Sequence, residues 1–572
     1  KRPSESEIRE MRKLSWGITI STVLTWVDSD VLNAYKLPLP QGKTTILEPD
    51  YPKWVKDLEQ KAKQFTVRID SGNNNGSGII IAREGNNYTV LTSAHVLCER
   101  DNATEECGEY NYEILAPDDN KYPVEKSSIK IEEGVDLAVV KFKSSEDYQI
   151  ATLADYSFDN EDLIFTGGYP KLANNSRWRL TVGQIADQEF GLLVVKDSDF
   201  SLPGYGSLKS KNIGSLTGGY ELIYTSITYG GMSGGPVLDS QGRVIGIHGR
   251  AEAKKVNNSN INDGKIQIGF SLGIPINTFL GLAPRLGIAP QKLENTRPPQ
   301  LDTKKVESIK KAVLSAKVPK TNATAALWLE RGNQLWRLGM YEEANKAFDQ
   351  VIKQKPSLAY LGHYGKGFSF SGQDKDKESI TAFEEAVKLK PDFVVAWRFI
   401  SFIHMGSKQY DKALIAVNKA IQLQPKNPNG YLAKGMVLVG LERFAEAEPV
   451  ITEAIKLNPR AFYYTIRGIT YAGQKKWDLA KADLDKAIKV NPQSVYAYIL
   501  RGIVYLGQGK SDLALADFNQ SIKINPKNAF VNTYDYRGRL YLQQEKWDLA
   551  KADFDKAIEL DYKSDEAYAY RG

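Results

Sequence analysis

Two kinds of apolar patterning, one after the other, predict a multidomain chain with an all-β domain followed by an all-α solenoid. From about Thr66 to Leu282 the apolar residues come in short runs broken by Gly, Asn, Asp and Pro, among them Ile79–Ala82, Tyr88–Ser93, Leu137–Phe142, Leu192–Val195 and Arg243–Ile247. Strands of that length and spacing belong to a barrel or sandwich. From about Ala325 the pattern turns helical and repeats about every 34 residues, the mark of a stacked array. The chain has 572 residues, more than one core can hold.

The first element is an N-terminal segment, residues 1–59. Residues 1–13 carry five basic and three acidic side chains, and an apolar run follows from Leu14 to Val27. That run is shorter than the about 20 residues needed to span a bilayer, and its length suits the core of a signal peptide. The expectation is an exported protein, periplasmic or extracellular, touching a membrane only through this segment. The chain begins at Lys1 and stops at Gly572 inside a repeat, which gives the expectation that it is a piece of a longer protein.

The β-rich element covers residues 60–283. Glu84-Gly85-Asn86-Asn87 between two apolar runs reads as a hairpin turn. Cys98 and Cys107, the two cysteines of the chain, flank a polar, loop-like stretch and are a candidate disulfide in an oxidising compartment. The four histidines lie far apart, so no Cys/His cluster has zinc spacing; no metal and no cofactor are expected. Residues 284–324, rich in Pro, Lys and Gln, read as a linker holding a short helix around Lys304–Lys317.

The last element, residues 325–572, is the repeat array. Small residues recur at Gly332, Gly367, Ser401, Gly435, Gly468, Gly502, Gly538 and Gly572. Alanines follow about twelve positions later, as at Ala344, Ala413, Ala480 and Ala550, and prolines close the units, as at Pro356, Pro391, Pro425 and Pro459. Two antiparallel helices approach closely only where side chains are small, and Pro ends the second helix of each pair. Seven units are complete and an eighth begins near Asp565. The pattern resembles the tetratricopeptide (TPR) repeat. The resemblance implies a groove that binds a protein partner, with a spacer or self-association module as the alternative.

The net charge is +6, with 75 Lys and Arg against 69 Asp and Glu. No concentrated basic face is indicated, so nucleic acid is not an expected partner.

Three local patterns in the β-rich region carry candidate chemistry: Leu91-Thr92-Ser93-Ala94-His95 after an apolar run, Val135-Asp136-Leu137-Ala138 before another, and Gly230-Gly231-Met232-Ser233-Gly234-Gly235-Pro236. Serine is a poor nucleophile without an adjacent base, histidine accepts and returns a proton near neutrality, and a carboxylate fixes the imidazole tautomer. Glycines around Ser233 permit a tight turn that aims two backbone amides, those of Gly231 and Ser233, at one spot.

The order His95, Asp136, Ser233, with separations of 41 and 97 residues, resembles the chymotrypsin-like (trypsin-like) serine proteases over roughly residues 60–285. T-S-A-H is similar to their T-A-A-H, V-D-L-A to their D-I-A-L, and G-M-S-G-G-P to their G-x-S-G-G-P. Gly167-Gly168-Tyr169-Pro170 is similar to a segment of bacterial members, and protease–TPR fusions of this style resemble bacterial, notably cyanobacterial, proteins. The resemblance implies a double β-barrel with His95, Asp136 and Ser233 as a catalytic triad in the cleft, Gly231 and Ser233 as oxyanion donors, and a protein or peptide as substrate. The competing expectation is a catalytically inactive protease fold that serves with the array as an adaptor.

Met232 departs from the trypsin pattern, which has Asp before the serine to pair with a newly formed N-terminus; activation by that ion pair is not expected. Ile227, six positions before Ser233, gives no support for cleavage after Lys or Arg. Gly246-Ile247-His248 with Thr228 resembles the glutamyl endopeptidases, and this resemblance implies that Thr228 and His248 bind an acidic side chain. The alternative is a packed His248 beside a pocket for small apolar side chains.

Overall fold

The computed structural model describes residues 49–560 except 71–74, 102–103, 108–110, 133–134, 157, 160–161, 171–176, 187–219, 221, 256–264, 317–323, 458, 460, 491–493 and 525–532. The apolar run 14–27 and the start of an eighth repeat lie outside the described residues.

The β-rich region forms two sheets, as the patterning predicts. The first has seven strands: β1 (Thr66–Asp70), β2 (Asn75–Glu84), β3 (Asn87–Thr92), β6 (Glu113–Leu115), β7 (Lys121–Pro123), β8 (Lys130–Ile131) and β9 (Ala138–Lys143), in the order β7-β6-β1-β2-β3-β9-β8. Glu84 and Asn87 close the hairpin between β2 and β3, with Gly85 at φ 62°. Between these strands, β4 (Cys98–Asp101) and β5 (Thr104–Cys107) form a small ribbon in which the backbones of Cys98 and Cys107 face each other. The two thiol side chains lie outside the described residues.

The second sheet has eight strands: β10 (Leu153–Ala154), β11 (Leu163–Gly168), β12 (Arg179–Gln184), β13 (Leu222–Tyr224), β14 (Pro236–Leu238), β15 (Val244–Lys255), β16 (Lys265–Pro275) and β17 (Leu293–Glu294). Several strands are buried in near-continuous apolar runs, and Val67, Ile69, Val90, Leu91 and Val140 of the first sheet join Phe165, Ile247 and Leu272 of the second in one buried cluster.

Three helices brace the sheets. In α1 (Lys53–Lys63) Val55, Leu58 and Ala62 are buried on one face, and Trp54 stands edge-on to Phe165 at 5.8 Å. Helix α2 (Ile276–Leu286) ends at Gly287, whose φ of 67° suits the left-handed cap. Helix α3 (Thr303–Ser315) is N-capped by Asp302 accepting from the Lys305 amide, and it falls where the sequence predicts a short helix. The stretch between α2 and α3, expected as linker, runs against the second sheet. There Leu293 and Glu294 pair in parallel with β10, Glu294 accepts from Arg243 at 2.7 Å, and Arg297 meets Asp162 at 2.6 Å.

Seven helix pairs follow among the described residues, from α4 (Ala325–Trp336) and α5 (Tyr341–Gln354) to Thr533–Gln543 and Trp547–Leu560. The small positions do what the pattern requires. A Cβ on Gly332 would lie 2.4 Å from the Phe348 ring, and one on Gly502 would lie 2.6 Å from the Phe518 ring. A large apolar residue of the second helix, Phe348 and Phe518 here and Ile451 or Leu484 in other repeats, therefore fills the space left by the glycine of the first.

A polar ladder runs beside this core. Arg467 pairs with Asp483 at 2.6 Å, Arg501 with Asp517 at 2.7 Å, and Arg537 with Asp553 at 2.6 Å. Arg501 also reaches back to Asp485 of the preceding pair at 2.6 Å, which ties neighbouring repeats together.

Candidate active site

The register of the first sheet brings His95 and Asp136 together. Thr92 ends β3 opposite Ala138, which begins β9, so the residues just beyond both strand ends are neighbours. After β3 the chain makes a single 3₁₀ turn, Ala94–Leu97, that carries His95. The His95 amide donates to Asp136 Oδ1 at 2.8 Å, and His95 Nδ1 lies 2.6 Å from Asp136 Oδ2. The carboxylate is fully buried, while the imidazole keeps 19% of its surface open. Burial alone would push the Asp136 carboxyl up, but the charge and hydrogen bond of His95, together with Arg250 and Tyr220, hold it below its ordinary value.

Tyr220 is absent from the sequence candidates. Its hydroxyl donates to Asp136 Oδ2, its ring is fully buried, and the Arg250 guanidinium lies 5.8 Å from the ring centre. Burial, and then the Asp136 charge, keep the phenol protonated and able to donate. A Cβ on Gly249 would come within 2.6 Å of that hydroxyl, so Gly249 leaves the space that Tyr220 fills. A lone tyrosine in no motif offers no signal for this role.

Ser233 lies on a turn before β14. Met232 N–H donates to Tyr229 O at 3.0 Å, Gly234 N–H to His248 O at 2.7 Å, and His248 N–H returns to Gly235 O at 2.8 Å. Gly231 and Gly234 have φ of 93° and 83°, which the glycine-rich motif anticipates. Ser77 of β2 stitches this turn to the first sheet: its amide donates to Ser233 O at 2.7 Å, its hydroxyl to Gly231 O at 2.9 Å, and its carbonyl accepts from Thr92 Oγ1 at 2.7 Å. Among the described residues the N–H groups of Gly231 and Ser233 have no acceptor. The Ser233 hydroxyl donates to Gly249 O at 2.8 Å rather than to His95.

Thr228 and His248 are both buried beside this turn and are not hydrogen-bonded to each other. Thr228 Oγ1 lies 3.0 Å from Ser271 Oγ, and its amide donates to Gln267 Oε1 at 2.8 Å. His248 Nδ1 lies 2.5 Å from the Tyr224 hydroxyl. Burial, and then the nearby His95, lower the His248 pKa to about 3, so the ring is neutral near pH 7. Met232 packs in a buried cluster with Ile227 and Tyr229, an apolar setting for the position where the trypsin pattern has its Asp. Among the described residues no group of acidic, His or Cys side chains is arranged to hold a metal ion.

Comparison with known proteins agrees with both halves of this architecture. Residues 76–247 match the trypsin-like peptidase domain, and residues 428–460, 495–528 and 533–564 match the tetratricopeptide repeat. Among curated proteins, the chain is 26% identical over 161 residues to Protein bimA of Emericella nidulans, covering 22% of this chain and 20% of that protein. It is 30% identical over 118 residues to the chloroplastic tetratricopeptide repeat domain-containing protein PYG7 of Arabidopsis thaliana, covering 20% of this chain and 39% of that one. The matched segment thus spans well under half of either relative. Among solved structures, the inactive form of the Rv3671c protease of M. tuberculosis aligns at 16% identity over 42% of this chain and 98% of its own, with a TM-score of 0.28. The chain carries a trypsin-like peptidase domain joined to an array of tetratricopeptide repeats.

Proposed function

We propose that the protein is a serine endopeptidase in which Ser233 is the nucleophile, His95 the general base and acid, and Asp136 the group that orients His95. The observation that carries this reading is the His95–Asp136 pair, two hydrogen bonds of 2.8 and 2.6 Å to one buried carboxylate, set beside the Ser233 turn.

With Nδ1–H donated to Asp136, the lone pair of His95 lies on Nε2, ready to take the Ser233 proton. Rotation about the Ser233 Cα–Cβ bond moves the hydroxyl off Gly249 O and toward that nitrogen. Oγ then attacks the substrate carbonyl carbon, and the electron pair of the C=O bond moves to oxygen, where the Gly231 and Ser233 amides donate to it. As the tetrahedral intermediate collapses, the C–N bond breaks and His95 returns the proton to the leaving amine. Water repeats the sequence on the acyl-enzyme with His95 again as base, releasing the acid and restoring Ser233.

The acidic preference belongs to the same reading. Tyr224 donating to His248 Nδ1 leaves the proton on Nε2, so a neutral His248 offers a donor to a carboxylate, joined by the Thr228 hydroxyl when its proton turns from Ser271 Oγ. The repeat array recruits the protein substrate or a partner, raising effective concentration without altering the chemistry.

The test is hydrolysis of a peptide panel varied at the residue before the cut. Ser233→Ala and His95→Ala should each lower turnover by on the order of 10⁴-fold or more, and Glu peptides should be cut faster than Ala peptides. Equal rates for Glu and Ala would remove the acidic preference alone. A wild-type chain that folds but cuts nothing would leave the adaptor reading in its place.

A further inference from the structure

The first helix of the repeat array docks on the outside of the strands that flank Thr228. Gln267 is the hub of that wall. Its Oε1 accepts from the Thr228 amide at 2.8 Å, and its Nε2 donates to Ser271 Oγ at 3.0 Å and to Gly269 O at 3.1 Å. Ser271 Oγ in turn donates to Ser226 O at 2.8 Å and faces Thr228 Oγ1 at 3.0 Å. The segments 226–228 and 267–271 are therefore joined by buried side-chain bonds from the Gln267 and Ser271 side chains, and the second segment, with Tyr229 next to the first, is also held from outside.

The outer holds come from α4 and its C-terminal cap. Asn333 Nδ2 donates to Gln267 O at 3.0 Å, the Arg337 guanidinium donates to Gly269 O, and Glu330 Oε1 accepts from the Tyr229 hydroxyl at 2.9 Å. Phe270, which follows the second of the two gripped carbonyls, stands edge-on to Trp336 at 6.4 Å and to Phe368 of the second repeat at 6.3 Å. Trp336 and Phe368 stack at 4.9 Å, and Trp336 Nε1 donates to Asn333 Oδ1 at 3.2 Å. Asn333 thus links the aromatic contact between the first two repeats to the backbone of Gln267. All three polar residues of the helix side, Glu330, Asn333 and Arg337, are buried, so the seam is formed by groups that lose water on docking.

We propose that α4 completes the wall of the substrate-specificity pocket, with Asn333 and Arg337 as positioning residues that set the place of Thr228 through Gln267 and Gly269. The proposal rests on the endopeptidase reading above and adds a part of the repeat array to the machinery of selection. Neither residue touches the reacting atoms. Loss of their hydrogen bonds frees the 267–271 segment, so substrate binding and selectivity should change while the nucleophile does not.

The experiment uses the full chain with Asn333→Ala, Arg337→Met and the double variant, reading three quantities on each: the rate of Ser233 labelling by a small fluorophosphonate, KM and kcat for the preferred peptide, and the selectivity ratio across the panel. The fluorophosphonate needs the nucleophile and the oxyanion donors but not the specificity pocket. Labelling should stay within about twofold of wild type, KM should rise about fivefold or more, and the selectivity ratio should fall, kcat changing least. If the double variant fails to fold, as judged by its unfolding transition, Asn333→Ser is read by the same criteria. Unchanged KM and selectivity in a variant that labels normally would overturn the proposal. A wild-type chain that does not label at all would instead overturn the endopeptidase reading.

Discussion

Asp136 is the residue on which the site converges, and Tyr220 is what distinguishes its surroundings. A buried carboxylate is costly unless its oxygens accept hydrogen bonds, and here the His95 amide, the His95 ring and the Tyr220 hydroxyl all donate to it. Tyr220→Phe removes one donor and leaves the ring in place. Turnover should fall by about tenfold, the worth of one hydrogen bond to a charged group, with KM little changed. Gly249→Ala should cost more than Tyr220→Phe, because its new Cβ would overlap the tyrosine ring, 2.0 Å from Cε1. Steady-state kinetics on both variants check this; a larger loss for Tyr220→Phe than for Gly249→Ala would contradict it. His95, Asp136 and Ser233 were legible in the sequence because each sits in a short motif tied to a strand end or a glycine turn. Tyr220 and Ser77 were not, since their roles arise from contacts across more than 80 residues of chain in one case and more than 150 in the other.

At the scale of elements, the β3–β9 ladder and the contact of β2 with the Ser233 turn build the candidate site, and the docking of α4 carries a pH signature. Glu330 is buried beside Tyr229. Burial raises its pKa from 4.5 to about 7, against the opposing hydrogen bond from Tyr229 and the charge of Arg179. The folded chain therefore holds a proton that the unfolded chain releases across that window. From this group, stability falls as pH rises from about 4.5 to about 7 and is level above it. Glu330→Gln keeps an acceptor for Tyr229 and should flatten that part of the profile. Chemical unfolding of both proteins between about pH 5 and pH 7 measures it, and an identical slope in the variant would contradict the assignment. The helical repeats were legible as elements because the small, large and Pro positions recur at nearly fixed offsets from unit to unit. The docking was not, because Glu330, Asn333 and Arg337 occupy ordinary helical positions and acquire meaning only against Gln267 and Gly269. The parallel pairing of Leu293 and Glu294 with β10 was hidden for a related reason: two residues in a Pro-rich stretch have no period to read.

For the whole molecule, the two halves were separable in the sequence, yet the described residues of both meet, from Tyr229 and Glu330 through Gln267 and Asn333 to Phe270 and Phe368. These contacts join the array to the trypsin-like peptidase domain. The direct measurement is covalent labelling of the full chain with a fluorophosphonate, followed by mass analysis of the adduct. The account predicts one adduct, on Ser233, abolished in Ser233→Ala and strongly slowed in His95→Ala. Folded protein that takes up no label, or takes it up equally with Ser233 replaced, would contradict it.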